Sequence, residues 1–192
     1  MKAFQRTTGR VAVLDRADVD TDQIIPKQFL KRIERTGYGE FLFHDWRKDP
    51  AFELNRPEYA GATILVAGRN FGCGSSREHA AWALRDYGFE VLIAPSFGDI
   101  FATNCGKIGL VTIVLPPEQV RELRSARELT VDLEAQAITG PRGTLRFDFD
   151  FDSALRHRLL NGLDEIDLTL EREEAIARYE AAHPALVDTT AL

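Results

Sequence analysis

The sequence predicts an α/β fold, with a parallel βαβ core continued by antiparallel strands into a mixed sheet. Three observations carry this. The apolar runs at 62–68 (ATILVAG), 90–94 and 110–115 have strand length and suit strands buried on both faces. Helix-like segments at 76–87 and 96–109 separate them, and a strand–helix–strand–helix–strand rhythm argues for parallel strands. After residue 128 the pattern changes to strict alternation with turn residues between, which argues for antiparallel strands.

Taken in order, the chain opens on a short apolar strand at 11–14, followed by acidic and turn-forming residues. Pro26 disfavours a helical conformation at Ile25. Residues 30–48 are mixed, with breaks at Gly37 and Gly39, and read as a long loop flanked by short helical turns. Residues 52–61 are turn-rich, and the strand 62–68 follows. Residues 76–87 read as a helix stopped by Gly88. The second buried strand ends at Pro95, and the third is stopped by Pro116 and Pro117. Residues 117–126 suit a surface helix, and 129–151 suit antiparallel strands with turns at Gly140 and Gly143. Within them, residues 145–150 (LRFDFD) alternate as a half-buried strand does. Residues 153–162 read as a short helix closed by Gly162, and 171–184 as a polar terminal helix ended by Pro184.

A chain of 192 residues fits one domain with a sizeable core. With 44% hydrophobic and 28% charged residues, it has the balance of a soluble globular protein. The net charge of -6 argues against a general nucleic-acid binder, which needs a basic surface. No apolar run approaches the ~20 residues of a membrane span, and the N-terminal residues lack the pattern of a signal peptide. Two cysteines, Cys73 and Cys105, are too few for a disulfide framework. A cytoplasmic location is expected.

The stretch NFGCGSSREHAAWAL, residues 70–84, carries the chemistry. It is not a dinucleotide fingerprint, because Arg77 stands where the third glycine is required. No Gly-Lys-Ser/Thr follows the glycines, and there is no G-x-S-x-G elbow. Cys73 suits a small packed thiol better than a nucleophile paired with His79. Two thiols cannot by themselves hold an iron–sulfur cluster, which typically takes four. Ser75 and Glu78 have capping-box spacing, with Ser75 as the N-cap. The segment also follows a buried strand, where open α/β sheets bind ligands. Gly72 and Gly74 allow close backbone approach to an anion, the helix start adds positive potential, and Arg77 offers a fork for a carboxylate. A carboxylate or phosphate site is expected there.

Residues Asn70-Phe71-Gly72-Cys73-Gly74-Ser75-Ser76-Arg77-Glu78-His79-Ala80 resemble the hallmark of the swivelling domain of the aconitase superfamily. The segment from Asp20 to Leu30 (DTDQIIPKQFL) narrows this to the small-subunit family of bacterial 3-isopropylmalate dehydratase. Residues 96–107 and 160–166 fit the same family, and the likeness runs from about Val13 to Tyr179. In aconitase proper the domain is fused to a much longer chain, and the position of Gln23 is usually His.

The resemblance implies a three-layer β/β/α swivelling fold, as a single domain over 1–192 with a C-terminal helical extension at about 153–184. It implies a large-subunit partner carrying a [4Fe–4S] cluster with one open iron; this chain is expected to bind no metal. The implied reaction converts 2-isopropylmalate to 3-isopropylmalate through 2-isopropylmaleate, in leucine biosynthesis. By the same resemblance Ser75 is the base that moves the C–H proton, with Ser76 as the fallback. Ser76, Arg77, Gly74, Asp20, Thr21 and Asp22 are expected to bind the dicarboxylate, and Asp22 to orient Arg77. Turn and capping chemistry is an equal reading of Asp20, Thr21 and Asp22. His79 is expected to pack, and His44 and His157 show no constellation. The loop 31–46 is a candidate for selecting the substrate substituent through Ile33, Tyr38, Phe41 and Leu42, with ordinary packing an equal reading. Related hydro-lyase small subunits acting on homocitrate, citraconate or methylmalate-type acids share the motif. A non-catalytic anion- or RNA-binding module is the alternative of a different class.

Overall fold

The computed structural model describes residues 1–32, 34 and 36–183. Ile33 and Pro184 lie outside them.

The first strand, β1, spans Arg6–Leu14, longer than the apolar run foretold. Its polar first half carries no apolar alternation, so its strand character comes from a partner. That partner is β5, Glu128–Asp132, which pairs antiparallel with Arg6 to Arg10. The apolar second half, from Val11 to Leu14, pairs instead with β2, Ile64–Ala67, in parallel. The strands β3 (Val91–Ala94) and β4 (Val111–Val114) continue the parallel half, and β6 (Ala137–Thr139) and β7 (Arg146–Asp148) the antiparallel half. The seven-stranded mixed sheet has the order β4-β3-β2-β1-β5-β6-β7.

Alternation along the parallel strands divides the core in two. Leu65, Ala67, Leu92 and Ala94 pack against α2 (Glu78–Tyr87) and α3 (Asp99–Ile108), through Ala80, Ala81, Ala83, Leu84, Phe101 and Cys105. Ile64, Val66, Val91 and Ile93 face the other way, onto Leu129 and Val131 of β5 and Ile138 of β6. Helices cover one face of the parallel sheet and antiparallel strands the other, which is the expected β/β/α layering. The helix α4, Pro117–Leu123, is more than a surface helix, because Val120 and Leu123 are fully buried in the second cluster.

Beyond β7 lie α5 (Ser153–Asn161), α6 (Glu165–Leu170) and α7 (Glu173–Ala182). Gly162 closes α5 in the left-handed region at φ 69°, as its position foretold. The helix α6 was not foreseen; Asp164 starts it by accepting from the backbone N–H groups of Ile166 and Asp167. No described helix is long and apolar enough to cross a membrane.

Candidate functional site

The chain leaves the carboxyl ends of β1, β2 and β3 in three loops that bond edge to edge. The Asp18 N–H donates to the Arg69 carbonyl at 2.9 Å, the Gly72 N–H to Val19 at 2.7 Å, and the Thr21 N–H to Cys73 at 2.9 Å. On the other side the Phe71 N–H donates to Ser96 at 3.1 Å, and the Gly98 N–H to Phe71 at 2.9 Å. Backbone amides that would otherwise be orphaned beyond the strands are thereby satisfied. Residues 70–77 sit in the middle of this arrangement.

Gly72 is indispensable there. It has φ 75°, and a Cβ at this position would fall 2.2 Å from Cγ of Phe101. Phe101 is 2% exposed and packs on Phe71 at 5.6 Å between ring centroids, so it has nowhere to go. Gly72→Ala is expected to destabilise the chain by about 2–4 kcal/mol, from overpacking plus a left-handed alanine. Urea unfolding of the wild-type and variant chains checks this.

The helix α2 does not begin as the capping-box spacing foretold. Glu78 is its first residue rather than its third, and Arg77 is the N-cap with no side-chain cap bond. The reason is local. The Arg77 N–H donates to the Ser75 carbonyl at 2.8 Å, closing a tight turn, and Arg77 is extended at φ -97°, ψ 121°. That turn keeps residues 75–77 out of the helix. Ser75 and Ser76 are exposed, and neither hydroxyl has a hydrogen-bond partner among the described residues. Both are therefore free for a ligand.

The DTDQ segment has divided roles. Asp20 is the N-cap of α1, Thr21–Ile24, in a capping box with Gln23. Its carboxylate accepts the Gln23 N–H at 2.9 Å, while Gln23 Oε1 accepts the Asp20 N–H at 2.9 Å. Thr21 is 1% exposed, and its hydroxyl donates to the Ser75 carbonyl at 3.0 Å. Capping chemistry thus accounts for the side-chain contacts of Asp20, whereas the Thr21 hydroxyl and N–H bond across to the neighbouring loop. Asp22 differs, because its carboxylate accepts from Nη1 of Arg77. The Arg77 side chain is 21% exposed and that of Asp22 50%. This is the charge-assisted contact expected between them.

The loops enclose a cleft of about 190 Å³ lined by Gly72, Cys73, Gly74, Ser75 and residues 98–101. The contribution of the α3 start, with Asp99 and Ile100, was not foreseen from the residue types. A signal was available: Gly98 follows the strand-ending Pro95 by three residues, as a ligand-facing βα turn would.

Neither cysteine environment favours a thiolate. Cys105 is sealed in the core, and burial pushes its thiol well above the ordinary range. Cys73 is raised by burial and by the carboxylates of Asp20 and Asp18. A metal-ligating thiol must be ionised, and both environments oppose that. Among the described residues no group of three or more His, Cys, Asp and Glu side chains could hold a metal ion. This donor set does not fit an iron–sulfur cluster.

His79 packs between Trp82 at 4.6 Å and Tyr38 at 5.2 Å, and burial lowers its pKa. His44 lies edge-on to Phe29 at 4.9 Å, and His157 contacts Glu171 at 3.2 Å on the surface. In the 31–46 loop Tyr38 and Leu42 are fully buried in the helix-side core, so they pack rather than meet a substituent. Phe41 is half-buried and stacks on Phe29 at 4.1 Å.

Comparison with known proteins agrees with the geometry. Residues 1–118 match the aconitase C-terminal domain, and 165–186 match the C-terminal domain of the 3-isopropylmalate dehydratase small subunit. The 3-isopropylmalate dehydratase small subunit of Geobacillus kaustophilus is 59% identical over 194 residues, covering 95% of this chain and 98% of that protein. The protein of the same name from Rubrobacter xylanophilus is 54% identical over 190 residues, covering 96% of each. The crystal structure of 3-isopropylmalate dehydratase (leuD) from Methanocaldococcus jannaschii superposes with a TM-score of 0.69 at 27% identity. It covers 91% of this chain and 99% of that one.

Proposed function

The chain belongs to the 3-isopropylmalate dehydratase small-subunit family of the aconitase superfamily, and on that premise we propose that it supplies half of a hydro-lyase active site. The reaction interconverts 2-isopropylmalate and 3-isopropylmalate through 2-isopropylmaleate, as a step of leucine biosynthesis. The observation that carries the site assignment is the pairing of two unengaged serine hydroxyls with an arginine already oriented by Asp22.

Each residue has a distinct part. Arg77 grips a substrate carboxylate with its remaining guanidinium donors, and the charge stabilises the carbanion formed beside that carboxylate. Ser75, on the lining of the cleft, takes the C–H proton and later returns it. A serine hydroxyl is a weak base, so the positive potential of Arg77 and of the uncapped α2 start is needed beside it. Ser76 offers a hydroxyl to the substrate and is the second candidate for the base. The Gly74 backbone borders the same space, with Asp20 and Thr21 behind it.

We assign the remainder to a large subunit. Asp18, Asp20, Asp22 and Asp99 surround this region, and the cations paired there, Arg69 with Asp18 and Arg77 with Asp22, are each already engaged by a carboxylate. A dicarboxylate needs more positive charge than that. The iron–sulfur cluster, which would supply Lewis-acid help for the leaving hydroxyl, is assigned to the partner. The pair is assigned to the cytoplasm, with this chain acting as one domain over 1–192.

Anaerobic co-expression with the large subunit tests the reading. The expected result is a stable pair with iron–sulfur absorbance that turns over 2-isopropylmalate, in preference to homocitrate or citraconate. A chain active alone, or a pair that prefers another acid, would overturn it.

A further inference from the structure

Resting on the assignment of Ser75 and Arg77 to the substrate, we propose that Thr21 is a positioning residue, whose hydroxyl fixes the geometry between that serine and that arginine. Thr21 was expected to bind substrate. At 1% exposure it does not reach the cleft surface, and its hydroxyl proton is already committed to the Ser75 carbonyl at 3.0 Å.

The Ser75 carbonyl is the junction. It accepts the Thr21 hydroxyl from one side and the Arg77 N–H at 2.8 Å from the other. One oxygen therefore joins the backbone of the serine, the backbone of the arginine and the side chain of Thr21. Thr21 is itself anchored: its N–H donates to Cys73 at 2.9 Å, and its carbonyl accepts the Ile25 N–H at 3.0 Å. Among the described residues, no other side chain hydrogen-bonds to residues 74–76. The segment needs such a tether. It belongs to no strand or helix, and Gly74, at φ 93°, adds the backbone freedom of a glycine. Adjacent Asp22 holds the far end of the same unit, the Arg77 guanidinium. The first turn of α1 thus sets the serine through residue 21 and the arginine through residue 22.

Proton transfer is sensitive to such placement, since an error of about 1 Å can cost of the order of a hundredfold in rate. Binding of a carboxylate by a long guanidinium tolerates more. The proposal therefore separates kcat from KM.

The test uses the reconstituted pair. A wild-type pair without turnover of 2-isopropylmalate would defeat the functional reading and leave the tether to be judged by exchange. Given wild-type turnover, Thr21→Val keeps the volume and removes the donor. It is expected to lower kcat about tenfold with KM within about twofold, and to assemble normally. Thr21→Ser keeps the donor and loses a methyl group; it should hold kcat within about threefold while the unfolding temperature falls. Wild-type kcat in Thr21→Val, or equal losses in both variants that track stability alone, would overturn the proposal. Amide hydrogen exchange across residues 74–78 of the chain reads the tether without turnover or assembly. Faster exchange in Thr21→Val but not in Thr21→Ser supports it, and unchanged exchange in Thr21→Val overturns it.

Discussion

Replacing Ser75 with alanine is expected to remove isomerisation from the assembled pair while leaving assembly intact. A positioned acid–base group contributes about 10²–10⁴ in rate, and kcat should fall by that amount. Assembly should survive because Ser75 is exposed and its hydroxyl bonds to nothing else among the described residues. Its structural contribution is the backbone carbonyl, which alanine keeps. Ser76→Ala is the matched control, because that side chain is also exposed and unengaged. If Ser75 is the base, Ser76→Ala should retain measurable proton exchange into 2-isopropylmalate and Ser75→Ala should not. Near-normal turnover in Ser75→Ala, with loss in Ser76→Ala, would move the role to Ser76.

Arg77→Ala is expected to lower kcat/KM about 10²–10³-fold, the loss of charge-assisted hydrogen bonds to a carboxylate. Asp22 would lose its partner, but at 50% exposure water can solvate the freed carboxylate, so the fold should tolerate the change. Arg77→Lys restores the charge without the fork and should recover only part of the loss. Steady-state kinetics of the two variant pairs, with circular dichroism of the chains as a folding check, measures both effects. Recovery of full activity by lysine would mean that charge alone matters.

The parallel core was legible because its strands are buried on both faces, which leaves uninterrupted apolar runs such as ILVA and VLIA. Helix stops at Gly88 and Gly162 were legible because a left-handed C′ position favours glycine. The first half of β1 was not, since Arg-Thr-Thr-Gly-Arg has no apolar period; its pairing with β5 lies more than a hundred residues away. The start of α2 was misplaced for a related reason. Serine-x-x-glutamate is the local signature of a cap, yet the bond from the Arg77 N–H to Ser75 displaced the helix start and released both hydroxyls.

In the 31–46 loop, Tyr38 and Leu42 had the chemistry to meet an apolar substituent, but the chain buries them beside α2. Residue type specifies what a side chain can contact, whereas packing decides what it does contact. The same division holds across the molecule. From the sequence alone came the α/β class, the glycine-rich turn, the serine pair, the arginine and the family likeness, because these depend on residue type and short spacing. The tertiary structure brought Asp22 to Arg77, as the family likeness led us to expect, and it alone put Thr21 behind Ser75, whereas the mutual capping of Asp20 and Gln23 is local, three residues apart. The first two of those contacts join loops about fifty residues apart, and they form because three parallel strands end side by side and their unpaired backbone groups must find partners.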